Sequence, residues 1–277
     1  MKNFSNRFTS TVLLCLALPL AACGRGEIQI IDPSSGMPLL KSYSGFAYLA
    51  NQFSDDISIY IVNSSTGELM VKTSVAAGAR PVAITIDPTG KFAYVANADS
   101  DNISVYTIDS TTGTLTVGTP VLAGTMPVAI TIDPLGKFAY AANAESDNIS
   151  VYTIDPITGA LTVGTPVAAG TMPVSIIIDP LGKFAYVANA ESDNISVYTI
   201  GSTTGALTVG TPVVAGTMPV AITIDPTGKF TYVANADSDN ISVYTINSST
   251  GDLIAGTPIA AGTGPVSVTT VRITGKP

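Results

Sequence analysis

The residues of this chain that could do chemistry are acidic side chains in five short polar loops and one arginine. Four of the loops have the form A-[DE]-S-D-N, and the earliest loop has two adjacent aspartates. Carboxylates in such loops can act as general acids and bases, and their oxygens can bind hard cations. Arg80 occupies a position that is methionine in three later copies of the same pattern. The acidic residues are Asp55, Asp56, Asp99, Asp101, Glu145, Asp147, Glu191, Asp193, Asp237 and Asp239.

Several kinds of catalysis are excluded by composition. The chain has no histidine. Of its two cysteines, Cys15 falls in a predicted N-terminal export signal and Cys23 is the predicted lipidation site directly after it, so no free thiol remains. Histidine-based acid–base chemistry, Ser-His-Asp nucleophiles and histidine-ligated metals are therefore excluded. Each acidic loop is too short for a calcium cage and lacks a later bidentate glutamate. We predict no catalytic residue, no metal and no cofactor, and interpret these loops as solvated turns whose side chains bond local backbone.

The elements that carry these loops recur with a period of 46 residues. Proline opens each copy at Pro81, Pro127, Pro173, Pro219 and Pro265. Within the copy that begins at Pro81, alternation and turn residues predict four strands, A to D, at 82–86, 92–97, 103–108 and 114–117. A repeat of this length with four short strands predicts an all-β protein, a β-propeller of five four-stranded blades. Between adjacent blades we expect the repeated methionines to fill the gap.

The chain resembles the YVTN-type β-propeller repeat family. The tetrapeptide Tyr94-Val95-Ala96-Asn97 recurs with small changes at 48–51, 140–143, 186–189 and 232–235. In all of these five places but 48–51 it lies between D-P-x-G-K-F-x-Y and N-I-S-V-Y-T-I. The resemblance extends from Phe46 to Ile273. It implies kinship with bacterial and archaeal surface proteins and with propeller lactonases that act on sugar-derived lactones. Members commonly have seven blades, whereas this chain has five copies.

The two ends of the repeat suggest how the propeller closes. Pro38–Ser42 is a poor strand A for blade 1, whereas the final copy ends in a good strand A at 266–271 with no blade after it. Pairing this last strand with blade 1 would remove two open edges, which otherwise invite aggregation. We therefore predict a ring closed by the C-terminal strand. The alternative is an open arc of five blades completed by a second molecule.

The propeller topology predicts that the loops divide between two faces. The B–C loops, which carry the ten carboxylates, share one side with the D–A loops that contain Arg80 and the repeated methionines. Four lysines fall on the opposite side. We call the first side the acidic face and predict that it binds partners, such as a protein or a glycan. Its candidate binding residues are Arg80, Asp99, Asp101, Glu145, Asp147, Glu191, Asp193, Asp237 and Asp239.

The first residues form an export signal. Lys2 and Arg7 precede an apolar stretch, and Leu20-Ala21-Ala22-Cys23 is similar to the lipobox of bacterial lipoproteins. We predict a signal peptide at 1–22, lipidation of Cys23, a tether at 23–45 and the propeller at 46–277. The resemblance implies membrane attachment through the lipids on Cys23. Gly24 lacks the aspartate that retains many lipoproteins in the inner membrane, which favours the outer membrane.

Charge and motifs complete the functional expectation. Removal of the signal changes the formal net charge from −8 to about −10, which disfavours nucleic acid as a partner. The sequence contains neither a G-x-S-x-G motif nor a P-loop. We therefore predict a membrane-anchored extracytoplasmic binding or scaffold protein. The alternative is a lactonase-like hydrolase that uses Arg80 with an acidic loop. Repeated, equivalent residues at the channel would favour the first, and one asymmetric polar cluster would favour the second.

Overall fold

The structure is a computed structural model that describes residues 30–31, 38–39 and 43–271. Every regular element in these ranges is a β-strand, so the predicted all-β class is confirmed. The predicted export signal at 1–22, the lipidation site Cys23 and most of the tether lie outside the described residues. The first two strands, β1 (Ile30–Ile31) and β2 (Pro38–Leu39), pair only with each other, so Pro38–Leu39 does not act as strand A of blade 1.

The remaining strands form five consecutive antiparallel blades, as the repeat predicts. Blade 1 contains β3 (Tyr43–Asn51), β4 (Asp56–Asn63) and β5 (Leu69–Ala76). Blade 2 contains β6 (Pro81–Ile86), β7 (Phe92–Asn97), β8 (Asn102–Ile108), β9 (Leu115–Val117) and β10 (Val121–Leu122). Blade 3 contains β11 (Pro127–Ile132), β12 (Phe138–Asn143), β13 (Asn148–Ile154), β14 (Leu161–Val163) and β15 (Val167–Ala168). Blade 4 contains β16 (Pro173–Ile178), β17 (Phe184–Asn189), β18 (Asn194–Ile200), β19 (Leu207–Val209) and β20 (Val213–Val214). Blade 5 contains β21 (Pro219–Ile224), β22 (Phe230–Asn235), β23 (Asn240–Ile246), β24 (Leu253–Ala255) and β25 (Ile259–Ala260).

The outer strand D of blades 2 to 5 is interrupted. In blade 2, β9 and β10 both pair with β8, but Gly118, Thr119 and Pro120 separate them. Gly118 N donates to Val105 O at 2.7 Å, after which the chain bulges away from the ladder. Pro120 has no backbone N–H and cannot continue the ladder. The sequence pattern predicted β9, but the short β10 was missed because proline interrupts its strand pattern.

Each A–B turn is held by its aspartate. Asp133 Oδ1 accepts hydrogen bonds from the backbone N–H groups of Lys137 and Phe138 at 2.6 and 2.7 Å. Its other oxygen accepts from Leu135 N at 3.0 Å, and Gly136 adopts a φ of 69°. Asp87, Asp179 and Asp225 make equivalent bonds. The D-P-x-G-K-F sequence therefore fixes the hairpin that joins the innermost strand to the next strand of the blade.

The hydrophobic core consists of separate clusters between consecutive blades. Four such clusters join blades 1 and 2, 2 and 3, 3 and 4, and 4 and 5. At each interface a strand B tyrosine donates to the carbonyl of a glycine in the next blade's C–D turn. The pairs are Tyr48 with Gly113, Tyr94 with Gly159, Tyr140 with Gly205, and Tyr186 with Gly251. The same glycines lie against Phe46, Phe92, Phe138 and Phe184.

The predicted closing strand is not formed. Blade 1 is a three-stranded sheet, and residues 265–271 have no ladder partner. Thr270 Oγ1 instead donates to Ile224 O at 2.9 Å, which places this segment beside strand A of blade 5 rather than against blade 1. Phe230, whose counterparts Phe92, Phe138 and Phe184 are at most 5% exposed, is 39% exposed. Described residues 43–271 therefore form five blades without a closing strand. The open arc of the alternative fits this arrangement, and its completion by a second molecule stays a prediction.

Candidate functional site

Hydrogen bonds between consecutive loops build the acidic face. One aspartate of each B–C loop accepts a hydrogen bond from a backbone N–H of the following D–A loop. Asp101 Oδ1, for example, accepts from Met126 N at 2.8 Å. The same bond joins Asp55 to Arg80, Asp147 to Met172, Asp193 to Met218, and Asp239 to Gly264. Five of the ten carboxylates on this face are therefore used to fix loops. The predicted bonds were to local backbone, whereas these reach a loop 25 residues further along the chain.

These bonds stabilise an unusual backbone conformation. Asp101 has a φ of 51° and Met126 a φ of 56°, and the other loops repeat this pair. Left-handed φ values cost L-residues roughly 1–2 kcal/mol, and glycine is the usual choice. Of the five D–A residues with a left-handed φ, at 80, 126, 172, 218 and 264, only Gly264 is a glycine. The charge-assisted hydrogen bond that each aspartate accepts compensates for this strain. By fixing the backbone, the same bond orients the side chain of Arg80 or of the methionine in its place.

The remaining carboxylates differ in environment. Asp99, Glu145, Glu191 and Asp237 occupy the first acidic position of their loops and are exposed. Asp56 lies in the atypical loop of blade 1, where Asn51 and Ser54 donate hydrogen bonds to it at 2.7 and 2.8 Å. These two bonds lower the pKa of Asp56 below its ordinary value. The four exposed carboxylates are the acidic groups that the loop structure leaves available for chemistry.

The D–A side chains form an apolar cluster that Arg80 does not join. Met172 is buried against Ala144 and Ala190, and Met126 and Met218 pack on the same cluster. This arrangement confirms the expected packing of the methionines between blades. Arg80 holds the equivalent position at the entrance to blade 2. A single substitution in the repeat therefore replaces an apolar contact with a cation and gives the face its asymmetry.

The arginine lies at a polar cavity of about 300 Å³ on the acidic face. The cavity lies between the D–A loop that enters blade 2 and the one that enters blade 3. Its lining residues are Arg80, Ala98, Asp99, Asp101, Thr125, Met126 and Glu145. Four of the predicted face residues thus meet in one cavity. Glu191, Asp237 and the loop-fixing Asp147, Asp193 and Asp239 lie outside it. Sequence reasoning missed Ala98 and Thr125, because nothing in the residue types of their loops distinguishes these two positions.

Arg80 and Asp99 form an ion pair at the edge of this cavity. Arg80 Nε lies 3.1 Å from Asp99 Oδ1, with the arginine side chain 30% and the aspartate 58% exposed. The Nε atom is buried and has no hydrogen-bond partner of good geometry. Glu145, across the cavity, has no side-chain hydrogen bond or ion pair among the described residues. The cavity therefore combines one fixed cation with one unengaged carboxylate.

The described part of the chain has no group of three or more His, Cys, Asp or Glu side chains placed to hold a metal ion. The two acidic residues of a loop have different roles, because one of them accepts a hydrogen bond from the backbone of the neighbouring loop. In residues 30–31, 38–39 and 43–271 there is also no helix of the length and apolarity that a membrane span requires.

Comparison with protein families identifies the chain. The model of the family described as "Lactonase, 7-bladed beta-propeller" matches residues 39–128, 119–215 and 175–270, which together span most of the sequence. The chain belongs to this lactonase family. The overlapping matches reflect the repeat, since several registers of near-identical blades fit one model. The lactonase family is described as seven-bladed, whereas this member has five blades between residues 43 and 271.

Solved structures share the fold of this lactonase-family protein. A protein from Bacteroides uniformis described as a 6-phosphogluconolactonase superposes with a TM-score of 0.74 at 21% identity, over 85% of this chain and 78% of its own. A Bacteroides fragilis protein of the same description gives 0.74 at 21% identity, over 86% and 78%. The periplasmic gluconolactonase of Pseudomonas aeruginosa gives 0.70 at 18% identity, over 79% and 68%. No curated protein sequence matches the chain.

The expected role as a binding or scaffold protein is wrong. Membership of the lactonase family overturns it and favours the hydrolase alternative. The inference failed because it treated the blades as equivalent and interpreted all the acidic loops as solvated turns, so that it kept the Arg80 hydrolase only as the alternative. The structure instead places one asymmetric cluster, Arg80 with Asp99 and Glu145, at a cavity. An asymmetric polar cluster was the feature expected of an enzyme, although it was expected at the central channel, whereas this cluster lies between loops of the acidic face.

Proposed function

We propose that this protein is a lactonase that hydrolyses the ring ester of sugar-derived lactones, with its active site in the Arg80 cavity. The observation that carries the proposal is the meeting of the only cation on the described acidic face with two exposed carboxylates at one cavity, in a chain of the lactonase family. Two of the solved neighbours are described as a 6-phosphogluconolactonase and a gluconolactonase, and these descriptions are consistent with this substrate class.

The cavity supplies the two groups that ester hydrolysis needs. A guanidinium can stabilise the negative charge that develops on the carbonyl oxygen in the transition state. A carboxylate within reach can take a proton from water as general base. We assign the first role to Arg80 and the second to Glu145, whose side chain has no competing partner among residues 43–271. Asp99 positions Arg80 through their 3.1 Å ion pair.

The proposed reaction balances without a cofactor. Water attacks the lactone carbonyl carbon while Glu145 takes one of its protons, which forms a tetrahedral oxyanion next to Arg80. The bond between that carbon and the ring oxygen then breaks. Glu145 returns the proton to the leaving ring oxygen, and the product is an open-chain hydroxy acid. A carboxylate base suffices because the strained ring ester of a sugar lactone is readily opened by water.

The test follows ring opening of glucono-δ-lactone by the purified protein, corrected for the spontaneous reaction. Arg80→Met should lower kcat/KM by at least about 100-fold, as loss of an oxyanion donor does elsewhere. The Arg80→Met variant should keep its fold, because methionine already adopts the same left-handed φ at the equivalent position of three other blades. Absence of ring opening above the spontaneous rate by the unaltered protein would refute the proposal.

A matched pair of variants tests the base. Glu145 and Glu191 occupy the same position of successive blades, but only Glu145 lines the cavity. Glu145→Gln should lower kcat about 100-fold or more, within the range expected for a general base. Glu191→Gln should leave it unchanged. Equal activity of the two variants would show that the base lies elsewhere.

We further propose that the enzyme is exported and held at the outer membrane by lipids on Cys23. The lipobox sequence supports this proposal, and several acyl chains anchor a protein where one alone is marginal. Cys23→Ala should leave an uncut precursor or release the protein from membranes in fractionated cells. Unchanged processing and membrane association of this variant would refute the anchor.

A further inference from the structure

The charge distribution around the Arg80 cavity determines which lactones can enter. Arg80 is the only cation among the loops of the acidic face within residues 43–271. Its guanidinium is already paired with Asp99, and Asp101 and Glu145 also line the cavity. Three carboxylates and one arginine give the cavity a formal charge of −2. An anionic substrate therefore meets net repulsion.

The other described cations cannot relieve this repulsion. Four lysines follow the A–B turns on the opposite face, at Lys91, Lys137, Lys183 and Lys229. Lys72 Nζ contacts the carbonyl oxygen of Thr112 and the hydroxyl of Thr114 in a C–D turn, also on the opposite face. No second basic side chain of the described part reaches the cavity.

Backbone amides, which often bind phosphate, are mostly occupied in the loops around this cavity. Ala98 N donates to Arg80 O, and Asp99 N donates to Ala79 O. Met126 N donates to Asp101 Oδ1, and Glu145 N donates to Thr125 O. Thr125 N donates to Ser146 Oγ. With Arg80 N, which donates to Asp55 Oδ1, six of the seven residues that line the cavity therefore use their backbone N–H groups in bonds within the loops.

The groups that do face the cavity suit a neutral polyol. Carboxylates accept hydrogen bonds only, and sugar hydroxyls are their natural donors. The exposed Thr125 hydroxyl can both donate and accept. We propose that this site selects unphosphorylated sugar lactones and discriminates against the corresponding phosphate esters. The inference rests on the proposed lactonase function and deepens it by naming the substrate class.

The experiment compares glucono-δ-lactone with its 6-phosphate. At about 10 mM salt, where the Debye length is about 30 Å, kcat/KM for the neutral lactone should exceed that for the phosphate ester at least tenfold. The ratio should fall several-fold at about 1 M salt, where the Debye length is about 3 Å. As a control, the inhibition constant of an uncharged competitive inhibitor should be the same at both salt concentrations.

A matched pair of variants locates the effect. Thr125 lines the cavity, and Thr171 occupies the same repeat position one blade later, outside it. Thr125→Lys adds a cation at the cavity and should raise relative activity on the phosphate ester at least about fivefold at low salt. Thr171→Lys should leave the ratio within about twofold, because added charges at a Debye length or more act weakly.

The outcomes separate the two proposals. Hydrolysis of the phosphate ester as fast as, or faster than, the neutral lactone at low salt would overturn the selectivity and leave the lactonase function intact. A ratio that responds equally to Thr125→Lys and Thr171→Lys would also overturn the assignment to this cavity. Failure to hydrolyse either lactone would refute the lactonase function itself, and the selectivity with it.

Discussion

The hydroxyl of Tyr140 in blade 3 donates a hydrogen bond of 2.8 Å to the carbonyl oxygen of Gly205 in blade 4. Both groups are buried, so removal of the hydroxyl leaves a buried acceptor without a partner. Tyr140→Phe should lower the free energy of unfolding by about 1–2 kcal/mol, measured by urea denaturation. Repeat symmetry provides the control. Tyr232 is the equivalent tyrosine of blade 5, and no described blade follows it, so Tyr232→Phe should change stability by less than about 0.5 kcal/mol. Similar losses in both variants would contradict this account.

The C–D turn glycines should differ in their tolerance of alanine. Gly67 and Gly205 have φ values of 72° and 67°, so the backbone strain of a substitution is similar at both positions. A Cβ at Gly205 would overlap the Phe138 ring, whereas a Cβ at Gly67 would have no atom within 4 Å. Gly205→Ala should therefore destabilise the protein by about 1–3 kcal/mol more than Gly67→Ala does. Equal melting temperatures for the two variants would show that the ring moves aside freely.

The loop-fixing aspartates should tolerate asparagine but not alanine. Asp147 Oδ1 accepts from Met172 N at 2.8 Å, and Asp147 itself has a φ of 51°. Asparagine retains an acceptor oxygen and adopts left-handed φ values readily, whereas alanine does neither. Asp147→Ala should cost about 1–3 kcal/mol of unfolding free energy. Asp147→Asn should cost less than half as much, and Glu145→Ala, two residues earlier and exposed, should cost almost nothing. A loss in Asp147→Asn as large as that in Asp147→Ala would indicate that the negative charge matters more than the bond.

Stability should fall above pH 10. Burial raises the pKa of the Tyr152 and Tyr198 hydroxyls to about 12, against an ordinary value of 10.0. Between pH 10 and pH 12 the tyrosines of the unfolded chain lose protons that those of the folded protein retain, so rising pH favours unfolding. The contribution is complete below pH 10 and disappears as the pH approaches 12. Denaturation at several alkaline pH values should show this decline.

A double variant isolates the tyrosine contribution from that of other alkaline groups. Tyr152→Phe with Tyr198→Phe removes two titrating hydroxyls, together with their hydrogen bonds to Leu122 O and Ala168 O. The variant should be less stable at neutral pH, and its stability should fall less steeply between pH 10 and 12. Parallel pH profiles for the two proteins would exclude these tyrosines as the cause.

The fold could be predicted because its determinants are local and repeated. The strand positions follow from alternating apolar residues, and the A–B turn from the D-P-x-G sequence in which Asp133 bonds its own turn. Each pattern occurs several times, so chance irregularities in one blade do not hide it. The division of loops between two faces follows from strand order alone, and it correctly placed Arg80 near the acidic loops.

Only the tertiary structure decided closure and the site. Whether residues 265–271 reach blade 1 depends on the curvature of the whole arc. That curvature is the sum of small rotations between neighbouring blades, and a local sequence pattern does not specify these rotations. Arg80, Asp99 and Glu145 meet because blades 2 and 3 pack together. The repeat gives equivalent residues of every pair of neighbouring blades the same spacing in sequence, so the spacing does not single out this pair. The sequence by itself determined the blades, their turns and the position where symmetry is broken. The cavity at that position, and the different tasks of neighbouring carboxylates, arise from long-range contacts.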